Sequence, residues 1–238
     1  MSIIQKIKNK ILWQNSKWYE KYIDKQIRIL KKIAAYNGVS KVAESIDRVY
    51  IEKFIEDNKQ YIKGTVLEFK GTENYAHRYT GPRDKIRYCA GLKYYDIYKK
   101  FKDINYFFEL EDISTYPKEK FDCIIFTQCL PYFLDPVKIL SNVVTMLKPK
   151  GVILICSDMF SKNIPEAPFL TYITEQGLKY ACSELIKMRG GGLIAIKSYG
   201  NINSALRNML NIKRCNLTEY HNDYSSNYPV LITAVYQK

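Results

Sequence analysis

Phe121-Asp122-Cys123-Ile124-Ile125-Phe126 is an almost unbroken apolar run, and Gly151-Val152-Ile153-Leu154-Ile155-Cys156 repeats the pattern a short way on. A strand with water on one face alternates apolar and polar side chains, whereas a strand covered on both faces has no such need. Between the two runs, Pro136–Leu147 carries its apolar residues at helical spacing, with proline in the first turn where it is tolerated. Lys148-Pro149-Lys150-Gly151 then breaks the helix and turns the chain. A strand, helix and strand in this order demand a buried, largely parallel sheet with right-handed crossovers and helices on its faces.

The rest of the chain continues the alternation. Val66–Phe69, Ile86–Ala90 and Tyr106–Leu110 read as the first three strands, with a helix over Tyr94–Phe101. Leu193–Tyr199 and Val230–Tyr236 read as the last two. A helix over Thr174–Met188 has Thr174 as its N-cap and Gly177 as an internal weak point. Gly190-Gly191-Gly192 follows it as a turn. Ahead of the sheet, Lys41–Lys59 spaces Val42, Ile46, Val49, Phe54 and Ile55 as one buried side.

Residues 1–40 differ from the remainder and form a separate basic helical extension before a domain over 41–238. Ile4, Ile7 and Ile11, then Tyr19, Tyr22, Ile23, Ile27, Leu30 and Ala34, recur at helical intervals with lysines between them. A break falls near Asn15-Ser16, and Tyr36-Asn37-Gly38 ends the element. The formal net charge is +13, and residues 1–36 hold nine Lys/Arg against Glu20 and Asp24. Such a surplus points to an anionic partner, unless the lysine-rich composition has a purely genomic origin. The amphipathic pattern with Trp13 and Trp18 suits packing on the domain itself, a homodimer or partner-protein contact, or peripheral contact with a membrane.

No apolar run reaches the ~18–20 residues that cross a bilayer, and no signal-peptide core opens the chain, so cytoplasmic residence is the simplest reading. The six cysteines show no paired spacing and several lie within apolar runs, which predicts buried reduced thiols. His77 and His221 are the only histidines, so no metal site is expected.

Gly64–Gly81 is where chemistry should sit. A short strand ends in a carboxylate, Glu68, then Phe69, and a loop with Lys70, Gly71, Thr72 and Asn74 follows. The carboxyl end of the first strand of an open α/β sheet is where a nucleotide-like cofactor lies. Glycine there lets a backbone approach the ligand, and Gly71 supplies one such position, but Lys70 stands where another glycine would be expected.

FDCIIFTQCLPYFLDPVKILSNVVTMLKPKGVILI resembles the fourth-strand to fifth-strand unit of class I S-adenosylmethionine-dependent methyltransferases, with Lys148, Pro149 and Gly151 matching its turn. IDRVYIEKF, VLEFKGTENYAHRYTG, FTQCLPYF, SYGN and YPVLITA are similar to methyltransferase-like proteins associated with bacterial glycosyltransferases and surface-polysaccharide assembly. The resemblance implies a Rossmann-like, seven-stranded, mostly parallel sheet with an antiparallel last strand. It also implies S-adenosylmethionine as cofactor and a small-molecule or glycan acceptor in polysaccharide biosynthesis. By position it assigns Glu68, Phe69, Lys70 and Gly71 to the donor loop, Glu109 and Leu110 to the adenine, Thr127 and Gln128 to the transfer cleft, and Tyr50 to a lid or cofactor contact. Glu68 has a second reading as a helix cap.

Lys70 and the lack of an evident ribose-binding acid after the second strand leave room for a methyltransferase-like scaffold that has lost its donor. Asp135, Asp158, His77 and His221 stand in post-strand loops as candidate bases, none fixed by a motif. Nucleic acid is the weakest partner reading, because no N-P-P-[YF] motif is present to stack a flipped base.

Overall fold

The computed structural model describes residues 16–29, 32, 45–69, 75–79, 87–92, 104–160, 169–209 and 227–238. The helices are α1 (residues 16–29), α2 (Ile46–Asp57), α3 (Tyr75–Tyr79), α4 (Pro136–Val144), α5 (Glu175–Arg189) and α6 (Ile202–Met209). The strands are β1 (Val66–Phe69), β2 (Arg87–Leu92), β3 (Tyr106–Phe108), β4 (Phe121–Thr127), β5 (Leu147–Asp158), β6 (Gly192–Tyr199) and β7 (Leu231–Gln237). They form one seven-stranded sheet in the order β3-β2-β1-β4-β5-β7-β6. Strands β1 to β5 pair in parallel, and β7 runs antiparallel to both β5 and β6. This is the sheet the sequence predicts.

Strand β4 shows why its apolar run is unbroken. Ile124 and Phe126 join Leu67, Phe69, Ile153 and Ile155 under α4 and α5. Cys123 and Ile125 face the opposite way, with Val66, Leu154 and Cys156, against α2, α3 and α6. Both faces of the sheet are therefore cores. Phe69 meets Phe126 edge to face, with centroids 4.9 Å apart, in the geometry that aromatic quadrupoles favour.

The Phe-Asp opening of β4 and the Lys-Pro-Lys-Gly turn are physically coupled. Asp122 accepts from the Thr65 N–H at 2.7 Å and from Lys148 Nζ at 2.7 Å, so one carboxylate joins the starts of β1, β4 and β5. Burial alone would raise its pKa, but the Lys148 ammonium and the Thr65 N–H hold it below the usual carboxylate value. At Gly151 a Cβ would stand 2.9 Å from the Lys148 carbonyl oxygen, so only glycine fits the turn without a shift. The helix predicted over Pro136–Leu147 ends at Val144, and the strand predicted from Gly151 starts earlier. Strand β5 begins already at Leu147, and the register with β4 slips between Phe121 and Cys123 to absorb the extra residues.

Three further expectations change. Helix α2 buries Ile46, Asp47, Tyr50, Ile51, Phe54 and Ile55, so Val49 sits beside the buried stripe and an acid lies within it. Helix α6 occupies residues between the last two predicted strands, to which the sequence reading gave no element. Asn201 Oδ1 accepts from Ser204 N–H while Ser204 Oγ accepts from Asn201 N–H, a reciprocal cap that starts it. Helix α1 is exposed along nearly its whole length, so the expected packing on its own domain is not made by its described residues. Thr174 caps α5 as predicted, its hydroxyl accepting from the Gly177 N–H. The helix predicted over Tyr94–Phe101 lies outside the described residues.

Cys123, Cys129, Cys156 and Cys182 are free and buried, and burial raises each thiol, Cys182 to about 11. They are packing groups rather than nucleophiles. Among the described residues, no helix is long and apolar enough to cross a membrane, and no group of three or more His, Cys, Asp or Glu is placed to hold a metal ion.

Candidate functional site

Strand order reverses between β1 and β4, and the carboxyl ends of those strands flank the crevice where ligands bind in open α/β sheets. Glu68, next to last in β1, is 2% exposed. Its Oε1 accepts from the Tyr75 N–H at 3.0 Å and its Oε2 from the Ala76 N–H at 2.7 Å. A carboxylate is thereby fixed to the first N–H groups of α3, where the donors of a helix start have no partners within the helix. Glu68 thereby ties the end of β1 to the start of α3. Glu68→Gln should lower stability by about 1–2 kcal/mol, measured by denaturant titration, because one N–H then faces an amide N–H₂.

Past the end of β4 the backbone turns sharply. Gln128 has φ 54, in the left-handed region, and its N–H donates to the Cys156 carbonyl at 2.8 Å. That turn points its carboxamide at two acids from other elements. Nε2 donates to Asp47 Oδ2 at 2.7 Å and to both carboxyl oxygens of Asp158 at 3.1 Å. The reverse orientation would set the amide oxygen against carboxyl oxygens, so the assignment of nitrogen and oxygen follows from the neighbours. Both Nε2 hydrogens are committed, and Oε1 accepts from none of the described residues.

Asp47 comes from the first turn of α2 and Asp158 from the last position of β5. Asp158 is 3% exposed, and its pKa is pushed up to about 8, first by burial and then by the charge of Asp47. Gln128 and Arg48 pull it part of the way back. Asp158 therefore keeps its proton at neutral pH, and the cluster holds one fewer negative charge than its two acids suggest.

The nine residues assigned from sequence divide sharply. Thr127 ends β4 and Gln128 follows it beside the crevice, and Glu68 stands across it on β1. Phe69 and Leu110 point their side chains into the core under α4 and α5, which leaves them main-chain atoms for any ligand. Tyr50 is 1% exposed and its ring packs on Tyr199 with centroids 5.9 Å apart, as a core residue does. Glu109 follows β3 and is half-buried. Lys70 and Gly71 lie outside the described residues, as does His221. Among the other candidate bases, Asp135 caps α4 by accepting from the Lys138 N–H, and His77 is exposed on α3. Only Asp158 is brought into a cluster. Sequence reasoning missed Asp47, because the stripe predicted for α2 ran through Val49 and left the acid outside it.

A family model described as a methyltransferase domain matches residues 87–209, more than half of the chain. The chain belongs to the methyltransferase-domain family. It is an S-adenosylmethionine-dependent methyltransferase in fold and family, with S-adenosylmethionine as its cofactor. No curated protein matches it. Among solved structures it is similar to an S-adenosylmethionine-dependent methyltransferase from Archaeoglobus fulgidus, at 13% identity and a TM-score of 0.49, over 80% of this chain and 94% of that one. It is also similar to one from Mesorhizobium loti, at 14% identity and a TM-score of 0.47, over 78% of this chain and 98% of that one.

The described residues fit a cationic donor. Beside the carboxyl ends of β4 and β5, this methyltransferase presents the Asp47 carboxyl group and the Gln128 carboxamide oxygen as hydrogen-bond acceptors, while Asp158 keeps its proton. No described basic side chain other than Arg48 is paired to that cluster.

Proposed function

We propose that the protein transfers a methyl group from S-adenosylmethionine to a hydroxyl on a glycan or a related biosynthetic intermediate. Bound donor supplies a methyl activated by a sulfonium. In this reading Gly71 and the main chain at Phe69 and Lys70 approach the donor. Glu68 ties the end of β1 to α3, Glu109 with the main chain at Leu110 lies on the adenine side, and Tyr50 supports the crevice from α2. Thr127 and Gln128 line the path of transfer. Asp47, the more accessible of the two acids, is the group that accepts the acceptor's proton, while Asp158 and Gln128 hold it in place.

The observation that carries the acceptor class is an aromatic rim. Tyr132 follows β4, and Phe169 and Tyr172 precede α5, so all three leave the sheet at its carboxyl edge. Tyr132 and Phe169 stand 5.2 Å apart, and Phe169 and Tyr172 5.9 Å, between ring centroids. Aromatic rings on the sheet edge that also carries Asp158 and Gln128 suit a sugar, which offers apolar C–H faces and hydroxyl donors together.

Calorimetric titration with S-adenosylmethionine and S-adenosylhomocysteine tests the donor, and binding of both is the expected result. A protein that binds neither is the scaffold that Lys70 suggests. Release of S-adenosylhomocysteine on adding cell-envelope glycans and sugar nucleotides tests the acceptor. Donor binding without such release would refute the glycan assignment and leave the donor site standing.

A further inference from the structure

Helix α1 has two unlike halves. At 100° per residue, Trp18, Tyr19, Tyr22, Ile23, Ile27 and Ile29 lie on one half of its circumference, with the uncharged Ser16 and Gln26 among them, and all its charged residues, Lys17, Lys21, Lys25, Arg28, Glu20 and Asp24, lie on the other. The apolar half is uncovered: Trp18 is 64% exposed, and Tyr19, Tyr22, Ile23, Ile27 and Ile29 are all exposed with it. Trp18 and Tyr22 stack on each other, 5.6 Å between centroids and 14° between planes, instead of on the domain. A helix of this length gains too little from its own hydrogen bonds to be stable alone in water, so it needs a surface to lie on.

We propose that α1 is an interfacial anchor that lies in the headgroup layer of a bilayer carrying anionic lipids. Its aromatic and isoleucine half faces the acyl boundary. The charge pattern selects this occupant. A second copy would bring together two segments that each hold nine basic residues against two acids over positions 1–36, whereas an anionic surface attracts that charge. Nucleic acid would meet the lysines but leave the apolar half in water. Tryptophan and tyrosine on a lysine-bearing helix match the polarity gradient at a headgroup boundary. No helix among the described residues spans a membrane, so the protein would lie on the bilayer rather than through it. This inference is independent of the acceptor that the site takes.

The chain provides its own reporter, because its two tryptophans, Trp13 and Trp18, both fall in this segment. The test mixes the full-length protein with vesicles of phosphatidylcholine alone, and with vesicles containing phosphatidylglycerol, at two salt concentrations. Co-sedimentation with the anionic vesicles is expected, with blue-shifted tryptophan emission and weaker binding in high salt. Lys17→Glu/Lys21→Glu should weaken partitioning at least 10-fold, at roughly 5-fold for each basic residue removed. Ile23→Glu/Ile27→Glu should abolish it while thermal unfolding stays unchanged, since both side chains are exposed and neither joins a core among the described residues. Failure to bind anionic vesicles, or equal binding to neutral ones, overturns the proposal. So does an oligomer in light scattering that depends on Ile23 and Ile27 without vesicle binding, which assigns the face to a second copy, as does binding to RNA alone.

Discussion

Gln128→Glu should destabilise the protein by about 2–4 kcal/mol at neutral pH, a fall in melting temperature of roughly 5–15 °C for a chain of this size. The substitution is nearly isosteric, so packing hardly changes. What changes is that a third carboxyl group replaces the one donor standing between Asp47 and Asp158. Three acids around one buried point cannot all ionise, and those that stay neutral still lack their former N–H partner. The loss should shrink below about pH 5, where the new carboxyl is protonated and can donate. Thermal unfolding at pH 5 and pH 7.5 measures both parts. Equal melting temperatures for the two proteins at pH 7.5 would mean that Gln128 does not bridge the acids.

The second large effect is the pH dependence of wild-type stability. The folded pKa of Asp158, about 8, is above its ordinary value of 3.8. The folded state therefore binds more protons than the unfolded state between those values, and stability declines as pH rises through that window. Below about pH 4 both states are protonated, and above about pH 8 both are ionised, so the slope is confined between them. A shift of this size corresponds to a ceiling on the order of 5 kcal/mol across the window. Asp158→Asn should remove this component, so its stability relative to wild type rises steadily from pH 4 to pH 8. Parallel denaturation curves for the two proteins over that range would show that Asp158 does not carry the buried proton.

The sheet was legible because its signals are local. Strand β1 falls on Val66–Phe69 as predicted, β4 extends the predicted run by Thr127 alone, and Thr174 caps α5, each from neighbours in sequence. The site was legible only by halves. Gln128 stands out at the end of β4, but its partners lie 81 and 30 residues away on other elements, and no spacing rule brings them together. Glu68 admits two readings from sequence, and its two bonds to the start of α3 show the cap. Asp47 was hidden by a shift of the α2 stripe from Val49 to Tyr50 and Ile51, which carried an acid to the buried side. Helix α6 was the plainest omission, since Asn201 and Ser204 carry a capping pattern in sequence.

Strand β7 is the last of the seven to leave the ribosome, yet it is an interior strand, wedged between β5 and β6. Until it arrives, β5 has an unpaired edge and β6 has no place in the sheet. From the completion of β5 at Asp158 until β7 emerges, the nascent chain carries an open strand edge, joined after Tyr199 by an unplaced β6, a condition that invites association between copies. Completion of the sheet is thus a late event, and Lys238 shares in it. The Lys238 N–H donates to the Gly151 carbonyl, and its own carbonyl accepts from the Lys150 N–H. A premature stop before Leu231 would remove the seam that joins the two parts of the sheet, leaving a chain that translation finishes but folding cannot.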